Sequence, residues 1–207
     1  MKTPIPRRLI LASFALATPA LAQQAAPDRA GLARAEAYLN SLRTLRARFL
    51  QVAQNGASAQ GTALIARPGR MRFDYDPPEP LLLVASGGQV LMYDRELRQP
   101  TTGPASSTPL GMLLRPDIRF AGEITVVGTE RSGGFFRVTI FRTGAEAEGR
   151  LTLSFAEDPF ELRQWTVLDS QRRETRVTLY EVETGVVLAN RLFDFNDPRF
   201  LDAEARR

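Results

Sequence analysis

Asp74 and Asp76, two residues apart, are the nearest this chain comes to a pair of catalytic carboxylates. At i and i+2 of an extended segment both project from one face of a strand. Arg72 falls on the same face, and a guanidinium beside a carboxylate keeps it charged rather than poised to trade a proton. The pattern therefore reads as surface charge on a wet face. A second polar group, Asp194, Asn196 and Asp197 in DFNDP (194–198), offers the oxygen ligands that calcium prefers. It lacks the glycine and the distal glutamate of an EF-hand loop, and reads better as a strand entering an Asp-Pro turn. There is no histidine and no cysteine, so the commonest general base and the thiolate nucleophile are both missing. No serine stands in a G-x-S-x-G elbow. The side chains ask for no reaction, and the expectation is a protein that is not an enzyme, with no cofactor.

The N-terminus carries a different signal. Lys2, Arg7 and Arg8 precede an apolar run from Leu9 to Ala17, followed by Pro19 and the small-residue pattern Ala20-Leu21-Ala22. That order predicts a secretory signal peptide over residues 1–22, cleaved near Ala22; the apolar run is too short to span hydrocarbon. Residues 23–207 then form a single domain, long enough for a sizeable core. The pI near 10 misleads. Residues 1–22 hold three of the 27 cations, which leaves 24 against 23 acids in the exported part. The remaining cations alternate with acids, as in RRETR (172–176), rather than clustering as a nucleic-acid binder would need. No nucleic acid is expected as a partner.

The elements follow from periodicity. Residues 28–42 carry Leu32, Ala35, Tyr38, Leu39 and Leu42 at helical spacing behind a capping Asp28. From residue 44 onward the period falls to two. Strands are predicted at 44–53, 59–67, 70–76, 81–86, 89–94, 122–130, 135–142, 150–156, 162–169, 174–182 and 187–195, separated by turn pairs such as NG (55–56), PG (68–69) and GG (87–88). STPLGMLL (107–114) predicts a short helix with Pro109 in its first turn. Many short strands at this spacing argue for an antiparallel meander that curls into a barrel or part of one.

One face of that meander is greasy. Phe49, Ile65, Met71, Phe73, Tyr75, Met92, Phe136, Val138, Trp165 and Val167 share a parity within their strands. Arg67 begins the RPGRMRFDY stretch in phase with them. Two readings satisfy this pattern: a closed barrel whose own side chains fill it, or an open sheet whose apolar hollow is covered by the two helices. Periodicity alone does not separate them, because both need an apolar concave face.

The order of several motifs is more specific. SLRTLRARFLQ, GTALIARPGRMRFDY, LLLVASGGQVLMYD, TPLGMLL and RLFDFNDP follow one another across nearly the whole exported part. In this the chain resembles the LolA family of periplasmic outer-membrane lipoprotein carriers. The resemblance implies a mainly β (α+β) fold, an incomplete antiparallel barrel of about eleven strands with helices over the open concave face. It implies acylated lipoproteins as cargo, taken from a LolCDE-type inner-membrane ABC transporter and delivered to a LolB-type outer-membrane receptor, by a soluble monomer in the periplasm. The family's arginine before the proline faces the hollow and bonds the helical lid when the cavity is empty; carried over, that residue is Arg67. Phe49, Ile65, Met71, Phe73, Tyr75 and Met92 would line the lipid site.

Met71 stands where the family commonly has phenylalanine, and Phe73 where it has tryptophan. The tail after Pro198 is short. A lipid-binding or lipid-sensing module on the same fold is the alternative reading.

Overall fold

In the computed structural model, residues 26–195 are described; the expected signal peptide and the tail after Pro198 lie outside them. Among the described residues, a single α-helix, α1 (Arg29–Ser41), precedes eleven strands. Asp28 caps it, its Oδ1 accepting from the Gly31 N–H at 2.9 Å. The strands are β1 (Thr44–Ala53), β2 (Ser58–Ala66), β3 (Arg70–Tyr75), β4 (Leu81–Ser86), β5 (Gln89–Asp94), β6 (Gln99–Pro104), β7 (Ile124–Ser132), β8 (Phe135–Arg142), β9 (Gly149–Glu157), β10 (Phe160–Asp169) and β11 (Glu174–Thr184). They form one antiparallel sheet in the order β6-β5-β4-β3-β2-β1-β11-β10-β9-β8-β7. Two meanders thus run in opposite directions from a seam where the first strand pairs with the last. The sheet does not close: β6 and β7 are its two edges.

The sequence predicts eleven strands and eleven form among the described residues, but they are not the same eleven. The segment 99–104 pairs with β5, Met92 lying opposite Thr101. Its sequence, QPTTGP, reads as a turn, yet Pro100 and Pro104 fall on the same parity, so both can turn the side that lacks an N–H away from the ladder. That is tolerable only at an edge. Conversely, 187–195 is not a strand: its chain leaves β11 and ends in a 3-10 turn, Asn190–Phe193.

The core explains both the curl and the helix. Odd positions of β3 and their counterparts across the sheet bury one apolar cluster under α1, with Phe49, Phe136, Leu151, Phe155 and Trp165 essentially inaccessible. Phe49 lies opposite Gly61, and a Cβ at Gly61 would meet the Phe49 ring at 2.7 Å. The missing side chain lets the ring lie across β2 and stack edge-on against Phe73 at 5.1 Å and Tyr75 at 5.0 Å.

The opposite face is not uniformly wet. Leu64, Ala66, Leu82, Val84 and Tyr93 form a second cluster on the convex side, sealed by Phe193 with Leu188, Leu192 and Phe195. Arg72, expected on a solvated face, is 6 % exposed. It bonds Asp74 at 2.6 Å and the Leu192 carbonyl at 3.3 Å. The reason lies in the runs ALIA (63–66) and LLLVA (81–85), which do not alternate: strands with apolar residues on both faces need cover on both.

Candidate functional site

The connection from β6 to β7 has to join the two free edges, and it does so across the mouth of the concave face. It begins with two 3-10 turns, Ala105–Ser107 and Pro109–Leu114, where a single helix was expected over 107–114. Thr108 caps the second, its hydroxyl oxygen accepting from the Gly111 N–H at 3.2 Å. With proline first, glycine third and six residues in all, PLGMLL has too few backbone donors to sustain an α-helix. Met112, Leu113 and Leu114 nevertheless point inward and are buried.

This plug is tied down at both ends by few bonds. On the entering side the Ala105 N–H donates to the Gly88 carbonyl at 2.9 Å. On the leaving side the turn between β2 and β3 grips it: the Gly69 N–H donates to the Leu114 carbonyl at 2.8 Å, and Arg67 Nη2 donates to the Arg115 carbonyl at 2.6 Å. Arg67 is 8 % exposed. Its Nε and Nη1 are buried and meet no acceptor among the described residues. Burial pushes the guanidinium's pKa down, the Arg43 cation adds to this, and Asp117 opposes it. A buried cation with one bond is costly to hold, which makes this contact a sensitive place.

Beside the N-terminal end of the plug the concave face is not filled. An apolar hollow of about 230 Å³ opens there between Met71, Phe73, Tyr75, Leu83, Val90, Trp165, Val167 and Val177, with Pro109 and Leu110 forming its roof. Gln51, Thr108 and Thr175, with the Tyr75 hydroxyl and the Trp165 indole N–H, are the polar groups of its lining residues. Among the described residues, no charged side chain lines it. Ligand pockets commonly enclose about 300–1,000 Å³, so with the plug seated the hollow is smaller than a usual ligand site.

Of the residues expected to line the lipid site, Met71, Phe73 and Tyr75 line this hollow, joined by Trp165 and Val167 of the same apolar face. Phe49 and Ile65 sit in the core cluster and are not among its lining residues. Met92 shares the face of Val90 but is 44 % exposed near the edge of the sheet. Arg67 is not among the lining residues and holds the other end of the plug. Parity identified the face correctly but not the depth of each residue, because depth depends on where the plug stops. Gln51, Leu83, Leu110 and Val177 were missed. Their parity in β1, β4 and β11 was readable, but the position of the plug was not.

The two aspartates are neutralised separately. Burial would raise the Asp74 pKa, but Arg72 and Arg95 outweigh it and hold the carboxyl below its ordinary value. Arg48 does the same for Asp76. Neither arrangement keeps a proton available for catalysis at neutral pH.

An open antiparallel sheet curled over a helix, with a tethered apolar plug across its mouth, defines a half-barrel fold. The family model for the outer membrane lipoprotein carrier protein LolA matches residues 40–196, and the chain belongs to that family. It is 29 % identical over 177 residues to an outer-membrane lipoprotein carrier protein of Methylococcus capsulatus, covering 82 % of this chain and 85 % of the relative. It is 28 % identical over 206 residues to a carrier of the same name from Pseudomonas paraeruginosa, covering 95 % and 96 %. Among solved structures, a putative outer membrane lipoprotein-sorting protein domain from Vibrio parahaemolyticus superposes with a TM-score of 0.51 at 9 % identity, over 82 % of this chain and 96 % of that one. This last likeness shows the fold alone.

Proposed function

We propose that this protein is a periplasmic carrier for acylated lipoproteins, a chaperone and not an enzyme. In this reading it is exported by its N-terminal signal peptide, works as a monomer, accepts cargo from a LolCDE-type ABC transporter and passes it to a LolB-type receptor. The observation that carries this reading is the plug. Met112, Leu113 and Leu114 occupy the concave face as stand-ins for acyl chains, and the hollow beside them continues the same apolar wall.

The energetics favour an exchange of one occupant for another. Each buried methylene contributes about 0.8 kcal/mol, so one sixteen-carbon chain is worth on the order of 10 kcal/mol. A carrier that simply buried two or three such chains would not let go. Displacing three apolar side chains and the bonds from Gly69 and Arg67 sets a cost against that gain, leaving an affinity from which transfer is feasible. Met71 and Met112 suit such a site, because an unbranched thioether repacks against differing chains.

The test is to purify the protein from a periplasmic fraction and analyse the bound material by native mass spectrometry. Acylated polypeptide at one per protein is expected. Free phospholipid in its place would favour a general lipid-binding or sensing module, and no bound lipid under loading conditions would defeat both.

A further inference from the structure

Two side chains on the wall of the hollow, Gln51 and Thr175, carry hydrogen-bond donors with no acceptor among the described residues. Gln51 is the last inward-facing residue of β1 to reach it, and its Oε1 accepts from the buried Tyr75 hydroxyl at 2.8 Å. Burial, with the charge of Glu79, pushes the Tyr75 pKa up to about 12 although the Gln51 bond pulls it down. The phenol therefore stays protonated and keeps donating. With Oε1 turned to the phenol, the two N–H groups of Nε2 are left without a protein acceptor among the described residues. Thr175, two residues before Val177 on the neighbouring β11, brings a hydroxyl to the same rim. Thr108, also on the rim, is occupied: it accepts from Gly111 and donates to the Ala105 carbonyl at 3.0 Å.

Free donors on two side chains, no cation and an apolar wall describe the partner they would take. A carboxylate or phosphate would enter this space without a compensating charge, at a large desolvation cost. A neutral carbonyl needs only a donor or two. Resting on the carrier reading, we infer that Gln51 and Thr175 form a polar collar that hydrogen-bonds the ester or amide carbonyl at the head of an acyl chain, while the chain itself lies along Phe73 and Trp165. The collar would set how deep the chain enters. It would also favour the neutral acyl-glycerol esters of a lipidated cysteine over free fatty acids, whose charged end has no partner here.

The experiment compares two probes: a diacylglyceryl-cysteine peptide with ester-linked chains and the same peptide with ether-linked chains, which retains the hydrocarbon but removes the carbonyls. A neutral hydrogen bond contributes up to about tenfold in affinity, so the unmodified protein should bind the ester about tenfold more tightly than the ether. Gln51→Leu should bring that ratio close to one while leaving ether affinity within about twofold, because leucine keeps the apolar wall. Thr175→Val, nearly isosteric, should lower the ratio in part and keeps the test available if Gln51→Leu is poorly folded. Equal binding of the two probes by the unmodified protein, or an undiminished ratio in both variants, overturns the collar and leaves the carrier reading standing. Binding of neither probe removes the carrier reading and the collar with it.

Discussion

The side-chain amide of Asn40 brackets the backbone of Ile118 at both polar groups. Its Nδ2 donates to the Ile118 carbonyl at 2.8 Å and its Oδ1 accepts from the Ile118 N–H at 2.9 Å. One turn earlier on α1, Glu36 accepts from the Phe120 N–H. The chain that leaves the plug is thereby zipped to the helix, as a strand would be to its neighbour. The covering of the concave face is thus one unit of α1 and the 105–120 segment, and it opens either as a whole or by breaking this zipper.

Asn40→Ala removes both bonds and strands two partly buried backbone groups, a loss of about 2 kcal/mol, or about 4–8 °C in melting temperature. The informative readout is local. Amide hydrogen exchange should accelerate across 109–120 far more than in the β1–β11 seam, which does not depend on Asn40.

Arg67→Leu should behave differently. It replaces a buried cation that has a single bond with an apolar residue, so stability should hold or rise. The plug loses its charge-assisted tie to the Arg115 carbonyl, worth about tenfold or more in the balance between seated and displaced plug. Loading with lipoprotein should remain intact while delivery to the receptor is impaired. A two-step transfer assay showing normal delivery by this variant would remove Arg67 from its proposed role.

On the convex face, Asp74 binds both Arg72 and Arg95. Its folded pKa lies below that of the unfolded chain, so on acidification the unfolded state takes up its proton first. The contribution is fully present at neutral pH, begins to fade near the ordinary aspartate value of about 4 and is gone below the folded value. Asp74→Asn should destabilise by about 1–3 kcal/mol at pH 7, discounted for partial exposure. The difference from the unmodified protein should shrink as pH falls below about 4. Urea unfolding at a series of pH values measures this directly.

Phe193 is 1 % exposed although it lies in an irregular segment. Phe193→Ala should cost about 3–4 kcal/mol. It should also release the 185–195 strap from Leu64, Leu82 and Val84, detectable as new protease cleavage within that stretch. A variant as resistant as the unmodified protein would show that the remaining contacts suffice.

The fold was largely legible because β structure writes its period into the chain. RMRFDY announces β3 and its buried face, and FFRVTIFR announces β8, without reference to anything distant. What misled was the stretch whose local signal and tertiary role disagree. QPTTGP carries two prolines and becomes a strand because β5 offers it an edge. RLFDF carries the apolar spacing of a strand and becomes a seal, because the convex faces of β2 and β4 were left without cover. The runs ALIA and LLLVA did record that need, as apolar residues on both faces.

For the candidate site the division is similar. Residue types and parity by themselves determined a greasy concave face, an absence of histidine and cysteine, and which of Met71, Phe73 and Tyr75 look inward. Only the tertiary structure decided that the plug ends at Leu114 under the grip of Arg67, that the space left over lies at its other end, and that Gln51 borders it with two free N–H groups. Strand parity is local, fixed by the backbone within a few residues. The size and lining of the hollow depend on how far a segment sixty residues from Gln51 reaches across the sheet before it is tied down.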